Sequence, residues 1–237
     1  MPRPFAPTHP TPLIISDGGV ESALAAAHAA EAHASDQHDE TSQAPAPVLW
    51  PAACESAAPD QACEQATKRL AERLGLRTVR APRPGPLKQR EGTPREAETL
   101  LLVRACTLAA ELGLPRVVWP ARRDDLDDSA RAHDRALLIA RVAGLDAEAV
   151  GAPELRIDAP YLDLSDEQVA ELVEDIGAPI ESCWWADADP QDDPASADEH
   201  RRWGWLLARL SSRTVSPAPR PFSGSGLEGS GREVSGV

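Results

Sequence analysis

Aromatic residues make up only 4% of the 237 positions, and there is a single methionine. A core built without them must pack small aliphatic side chains, and alanine supplies much of the apolar 42%. Closely approaching helices are therefore expected. Basic residues are also scarce: 24 Lys and Arg stand against 38 Asp and Glu, a formal net charge of −14. Such a surplus repels the phosphate backbone of nucleic acid, and without a clear basic patch direct nucleic-acid binding is not expected. Long hydrophobic runs are missing too. No stretch approaches the roughly 20 apolar residues of a membrane span, and the opening "MPRPFAPTHPTP" has no apolar signal core. The four cysteines, Cys54, Cys63, Cys106 and Cys183, form no CxxC pair, so nothing marks a paired-thiol motif. A reduced, soluble, cytoplasmic protein is the expectation.

What is present divides the chain into three parts. Residues 1–11 and 213–237 are rich in Pro, Ser and Gly and read as disordered tails, leaving a folded part at 12–212. Within it, short apolar runs alternate with helical patterns, the signature of βαβ units. The expected strands are "PLIIS", "APVLWP", "LRTVRAP", "PRVVWPAR", the extended "LRIDAPYLDL" and a last strand-like "PIESCWW". Expected helices run from about Glu21 to His33, from Asp60 to Gly75 and from 94 to 112, the last apolar on most faces and so buried against the sheet. Thr93 should cap it, with Pro94 at the first helical position. Further helices are "ARAHDRALLIARVAG", "DEQVAELVEDIG" and "SADEHRRWGWLLARL". Ser165 and Gln168 form a capping box at the start of the second of these, and Gly177 ends it. The fold class is α/β: a three-layer α/β/α sandwich on a mainly parallel, doubly wound sheet, with a small C-terminal helical lobe at about 180–212.

In doubly wound sheets ligands bind beyond the carboxyl ends of the strands. The stretch "LIISDGGVESAL" (13–24) lies at such an end: a strand enters two glycines and then a helix. Backbone N–H groups in a turn of this kind cradle anions.

With "APYLDLSDEQVAELVEDIGAPIESCWW" and "HRRWGW" in the same order, the chain resembles the 7-cyano-7-deazaguanine synthases of the PP-loop ATP pyrophosphatase superfamily. "DGGVES" lies where that family has SGGxDS, and Arg201, Gly204 and Trp205 lie in the places of its Arg-x-x-small-aromatic ending. The resemblance covers about 12–212. It implies ATP- and Mg²⁺-dependent conversion of a carboxylated deazaguanine to its nitrile, a step toward queuosine in transfer RNA.

The departures share a sign. In the loop formed by Ser16, Asp17, Gly18, Gly19, Glu21 and Ser22, Asp17 replaces a serine and Glu21 an aspartate. Asp166 stands where the resemblance implies a phosphate-facing lysine. Of the four cysteines implied for a structural zinc only Cys183 remains, the others reading Asp192, Ala195 and Asp198. Zinc is therefore expected to be lost, ATP binding to be impaired, and the Asp17 carboxylate to occupy the anion site itself. The family's "YGQ" appears as "WPA" (50–52), and its "PGRN" turn as "TPRE" (93–96). The functional expectation is a pseudoenzyme or nucleotide- or nucleobase-binding protein, with a small purine-like partner and homo-oligomerisation open. The alternative is an active AMP-forming carbon–nitrogen ligase acting on a deazaguanine or another carboxylate.

Other groups read as bland. His28, His33 and His38 are five residues apart, not the three or four of a helical metal pair. The run "ARRDDLDDSARAHDR" (121–135) lacks the order of a calcium loop and reads as a charged surface turn. Trp184, Trp185, Trp203 and Trp205 read as a packing cluster or as a stacking platform for a base.

Overall fold

The computed structural model describes residues 10–37, 45–52, 60–80, 94–149, 154–189 and 193–214. Cys54, His38, Thr93 and Asp192, with most of both terminal segments, lie outside the described residues.

The strands are short and rich in β-branched and apolar residues: β1 (Pro12–Ser16), β2 (Val48–Pro51), β3 (Arg77–Thr78), β4 (Arg116–Val118) and β5 (Arg156–Asp158). They form one sheet in the order β3-β2-β1-β4-β5, and every pairing is parallel. The helices are α1 (Val20–Gln37), α2 (Asp60–Leu74), α3 (Pro94–Glu111), α4 (Leu126–Ala149), α5 (Asp166–Ile176) and α6 (Pro194–Thr214).

Alternation along β1 distributes them. Ile14 points into a core with α1, α2, α5 and α6, whereas Leu13 and Ile15 point into a second core with α3 and α4. Helices thus cover both faces, the three-layer arrangement expected. The strand order reverses between β1 and β4, and the carboxyl ends of all five strands lie at one end of the molecule.

Local signals hold where they were specific. Ser165 accepts from the Gln168 N–H at 3.3 Å while the Gln168 side chain accepts from the Ser165 N–H at 2.8 Å, so the capping box forms as read. Gly177 closes α5 in the left-handed region, at φ 67°.

Three expectations are corrected. "PIESCWW" is not a strand: Pro179 leads into a 3₁₀ turn, Ile180–Ser182, in which the Cys183 N–H returns to the Ile180 carbonyl at 3.0 Å. Within "LRIDAPYLDL" only Arg156–Asp158 is strand, and the chain turns after Pro160. Finally, α3 is not buried on most faces, since Leu100 and Val103 are exposed while Leu101, Leu102, Ala105 and Cys106 face the sheet.

Candidate functional site

Gly18 has φ +76°, and a Cβ placed there would lie 2.8 Å from the Ala66 Cβ. Only glycine fits that turn without strain. Its carbonyl accepts the Trp184 N–H at 3.0 Å, which fastens the loop to the segment after the 3₁₀ turn. Arg69 of α2 holds the same segment, donating to the Ser182 and Cys183 carbonyls at 3.2 and 3.1 Å.

The loop's donors are satisfied from within. The Gly19 N–H donates to Asp17 Oδ1 at 2.8 Å, and the Ser22 hydroxyl donates to the same oxygen at 2.7 Å. The Asp17 N–H donates to Ser22 Oγ at 3.1 Å and the Gly18 N–H to Ser16 Oγ at 3.3 Å. Ser16 in turn meets the Thr67 hydroxyl at 2.8 Å. Three successive backbone N–H groups, the ones a nest would turn toward an anion, are thus engaged by the chain's own side chains. A carboxylate at a helix N-terminus is favourable, because the helix dipole and the N–H groups both stabilise it.

Glu21 and Asp166 come together across the end of the sheet through two arginines. Arg122, just after β4, lies 3.5 Å from Glu21, 3.0 Å from Asp166 and 3.0 Å from Asp124. Arg202 of α6 forks onto Asp166 at 2.9 and 2.5 Å, with Glu21 at 3.7 Å, and its guanidinium lies 4.7 Å from the Trp203 ring centre. Glu98 of α3, 3% exposed, is held by Arg123 and Arg135.

These groups border a cleft of about 260 Å³ whose lining includes Asp17, Glu21, Trp119, Trp184, Glu199 and Arg202. Burial, reinforced by the charge of Asp17, pushes the Glu21 carboxyl up to about 7. Burial together with the charges of Glu21 and Asp17 raises Glu199 to about 7 as well. Asp166 is raised by burial, against the pull of Arg122.

An acid whose pKa is higher in the folded than in the unfolded state favours folding in its protonated form. That contribution is fully present below the unfolded value and is lost progressively as pH rises from there through the folded value. Glu21, at about 7 folded against 4.5 for an ordinary glutamate, should therefore make the protein less stable between pH 5 and pH 8. Glu21→Gln should flatten that dependence by about 1 kcal/mol or more, read as the change in urea midpoint between the two pH values. An unchanged slope would contradict the placement of Glu21.

Several expected residues fall elsewhere. Arg201 is exposed and pairs with Asp198 at 2.8 Å, so the arginine of α6 that faces the cleft is its neighbour Arg202. Trp185 and Trp203 are fully buried, Trp184 lines the cleft and Trp205 is exposed. The tryptophans therefore divide between packing and cleft wall. His28 meets the Tyr161 hydroxyl across the fold at 2.9 Å and His33 meets Gln37 one helical turn away at 2.9 Å, both structural contacts. The run 121–135 is not simply a surface turn: Arg122 and Arg123 are only 12% exposed at their side chains and line the cleft. Position was the available signal, because they follow β4, the neighbour of β1 at the strand-order reversal.

The residues do not fit a structural zinc, which needs deprotonated thiolates in a closed tetrahedron. Burial drives the Cys183 thiol well above its ordinary pKa, Ala195 offers no ligand, and Asp198 is engaged by Arg201. Among the described residues no group of three or more His, Cys, Asp or Glu is arranged to hold a metal ion. Nor does the loop fit a triphosphate while Asp17 holds its donors. Among the described residues no helix is long and apolar enough to cross a membrane.

Fold and site define a class: a doubly wound, all-parallel α/β protein with a glycine turn after its first strand and a polar cleft at the strand-order reversal. No family model and no curated protein matches the chain. Among solved structures it is similar to NMN synthetase from Francisella tularensis, at 14% identity over 90% of each chain with a TM-score of 0.44. It is also similar to the U34-tRNA thiolase NcsA from Methanococcus maripaludis, solved with its 4Fe-4S cluster, at 11% identity over 91% of this chain and 76% of that one, with a TM-score of 0.39.

Proposed function

We propose that the chain is a relative of the 7-cyano-7-deazaguanine synthases, within the PP-loop ATP pyrophosphatases, that binds a nucleobase-sized ligand and does not turn over ATP. The observation that carries this reading is the Asp17 carboxylate accepting the Gly19 N–H at 2.8 Å and the Ser22 hydroxyl at 2.7 Å. It stands in for the anion that the turn would otherwise bind. The cleft's volume, about 260 Å³, falls just below the ~300 Å³ at which small-molecule pockets begin. That is room for a base rather than a nucleoside triphosphate.

The walls suit such a ligand. Trp119 and Trp184 offer indole surface, and the Glu21 and Glu199 carboxyls can accept from the adjacent ring and exocyclic N–H groups of a guanine-like edge. The ligand class is a neutral or weakly cationic purine or deazapurine.

The test is thermal shift and AMP production. The neutral cyano deazaguanine should raise the melting temperature by several degrees while ATP with Mg²⁺ leaves it unchanged, since a ligand stabilises only the state it binds. Incubation with ATP, Mg²⁺, ammonia and the carboxylated deazaguanine should yield no AMP, and robust AMP formation would overturn the reading. It would support an AMP-forming ligase instead, the alternative favoured by the retained Gly18, Gly19 and Ser22 beside two cleft arginines, Arg122 and Arg202.

A further inference from the structure

The sheet ends at β5, and among the described residues nothing pairs with its outer edge. On the inner edge the Arg156 N–H donates to the Pro115 carbonyl at 3.0 Å, and the Asp158 carbonyl accepts from the Trp119 N–H at 2.8 Å. Successive residues of a strand turn their backbone groups to opposite sides, so the N–H and carbonyl of Ile157 point to the open edge. Beside that edge runs a groove of about 1180 Å³ between β5 and α4, bordered by Leu137, Ala140, Leu145 and Ala159. Along α4 itself Leu137, Leu138, Val142 and Leu145 are between 51% and 65% exposed. An open edge flanked by contiguous exposed apolar residues is a surface that soluble proteins normally cover.

The edge is complementary to itself. We propose that it joins two copies of this chain, β5 pairing antiparallel with the partner's β5 about a two-fold axis through Ile157. In that register the two Ile157 residues exchange a pair of N–H···O bonds with the groups that point outward. Arg156 then faces the partner's Asp158 at a non-hydrogen-bonded position, where side chains approach most closely. The symmetry produces this charge pair twice. An axis through Arg156 or through Asp158 would instead set like charges against each other, so the register is selected by charge. Leu155 and Ile157 point into the core that holds α3 and α4. The α4 helices of both copies therefore lie on the same side of the continuous sheet, with the groove residues Leu137 and Leu145 of each copy beside the junction. Arg156 and Asp158 lie on the opposite side, where Asp158 also pairs with Arg116 at 2.5 Å. The occupant is a second copy rather than an unrelated peptide, because the apolar groove and the alternating charges match their own two-fold image.

Sedimentation velocity of the full chain at micromolar concentration tests this. The wild-type chain should sediment as a dimer. Arg156→Asp and Asp158→Arg should each weaken the dimer by at least about tenfold, with circular dichroism unchanged. Mixed in equal amounts the two variants should dimerise again, because the two acidic side chains of one then meet the two arginines of the other. Leu145→Glu, an exposed groove position that leaves the charge pairs intact, should also yield monomers. A monomeric wild-type chain, a dimer that persists in Arg156→Asp, or variants that fail to pair on mixing would each overturn the proposal.

Discussion

Asp17→Ser should let the loop bind phosphate more tightly than the wild-type chain does. In the wild-type chain Asp17 Oδ1 takes the Gly19 N–H and the Ser22 hydroxyl, so an arriving anion meets a negative charge where it needs donors. Two unit charges 4 Å apart interact by about 4 kcal/mol at an effective dielectric near 20, equivalent to roughly a thousandfold in affinity. Screening and the cleft's remaining carboxylates reduce this. A gain of about ten- to a hundredfold for inorganic phosphate at low ionic strength is the expected result, measured by calorimetric titration. The gain should shrink as salt is added. Equal phosphate affinity in the two proteins would show that the carboxylate is not what keeps the anion out.

The largest loss of stability should come from Trp203→Ala. Trp203 is fully buried where α6 packs against the core shared with α1, α2 and α5. Removing a buried indole costs about 3–5 kcal/mol, because the lost transfer energy is compounded by the cavity left behind. Arg202 rests on that ring at 4.7 Å, so its fork onto Asp166 should loosen as well. Chemical denaturation gives the stability difference directly. Trp205→Ala, on the same helix but 47% exposed, should cost under about 1 kcal/mol and serves as the control. Similar losses at both positions would contradict the packing of α6.

How far the sequence could be read depended on how local each feature is. The Ser165 and Gln168 capping box, the Gly177 stop and the glycine turn at 18–19 each depend on a few adjacent residues, and their signals survive without knowledge of the fold. The parallel layering followed from alternating short and long apolar patterns. The cleft's cations did not announce themselves in the same way. Arg122 and Arg202 are eighty positions apart in the chain and acquire meaning only when β4 and α6 bring them to the same two carboxylates. On α6 a choice between Arg201 and Arg202 is a rotation of about 100° around the helix, which motif spacing alone does not settle. "PIESCWW" misleads because its β-prone composition is satisfied by burial in a turn, with Ile180, Cys183, Trp184 and Trp185 all packed inside.

The two arginines that join Glu21 to Asp166 also bear on how such a site could change over generations. Replacing Asp166 with lysine sets a third cation against Arg122 and Arg202, deprives Arg202 of its nearest carboxylate and leaves Arg122 with Asp124 at 3.0 Å. Replacing either arginine first leaves Asp166 with half its neutralisation, which lowers folding stability. Each such single step is thus uphill in folding stability, although the combined change need not be. The network therefore resists piecemeal change: ordinary selection for a folded protein is enough to hold these charges together.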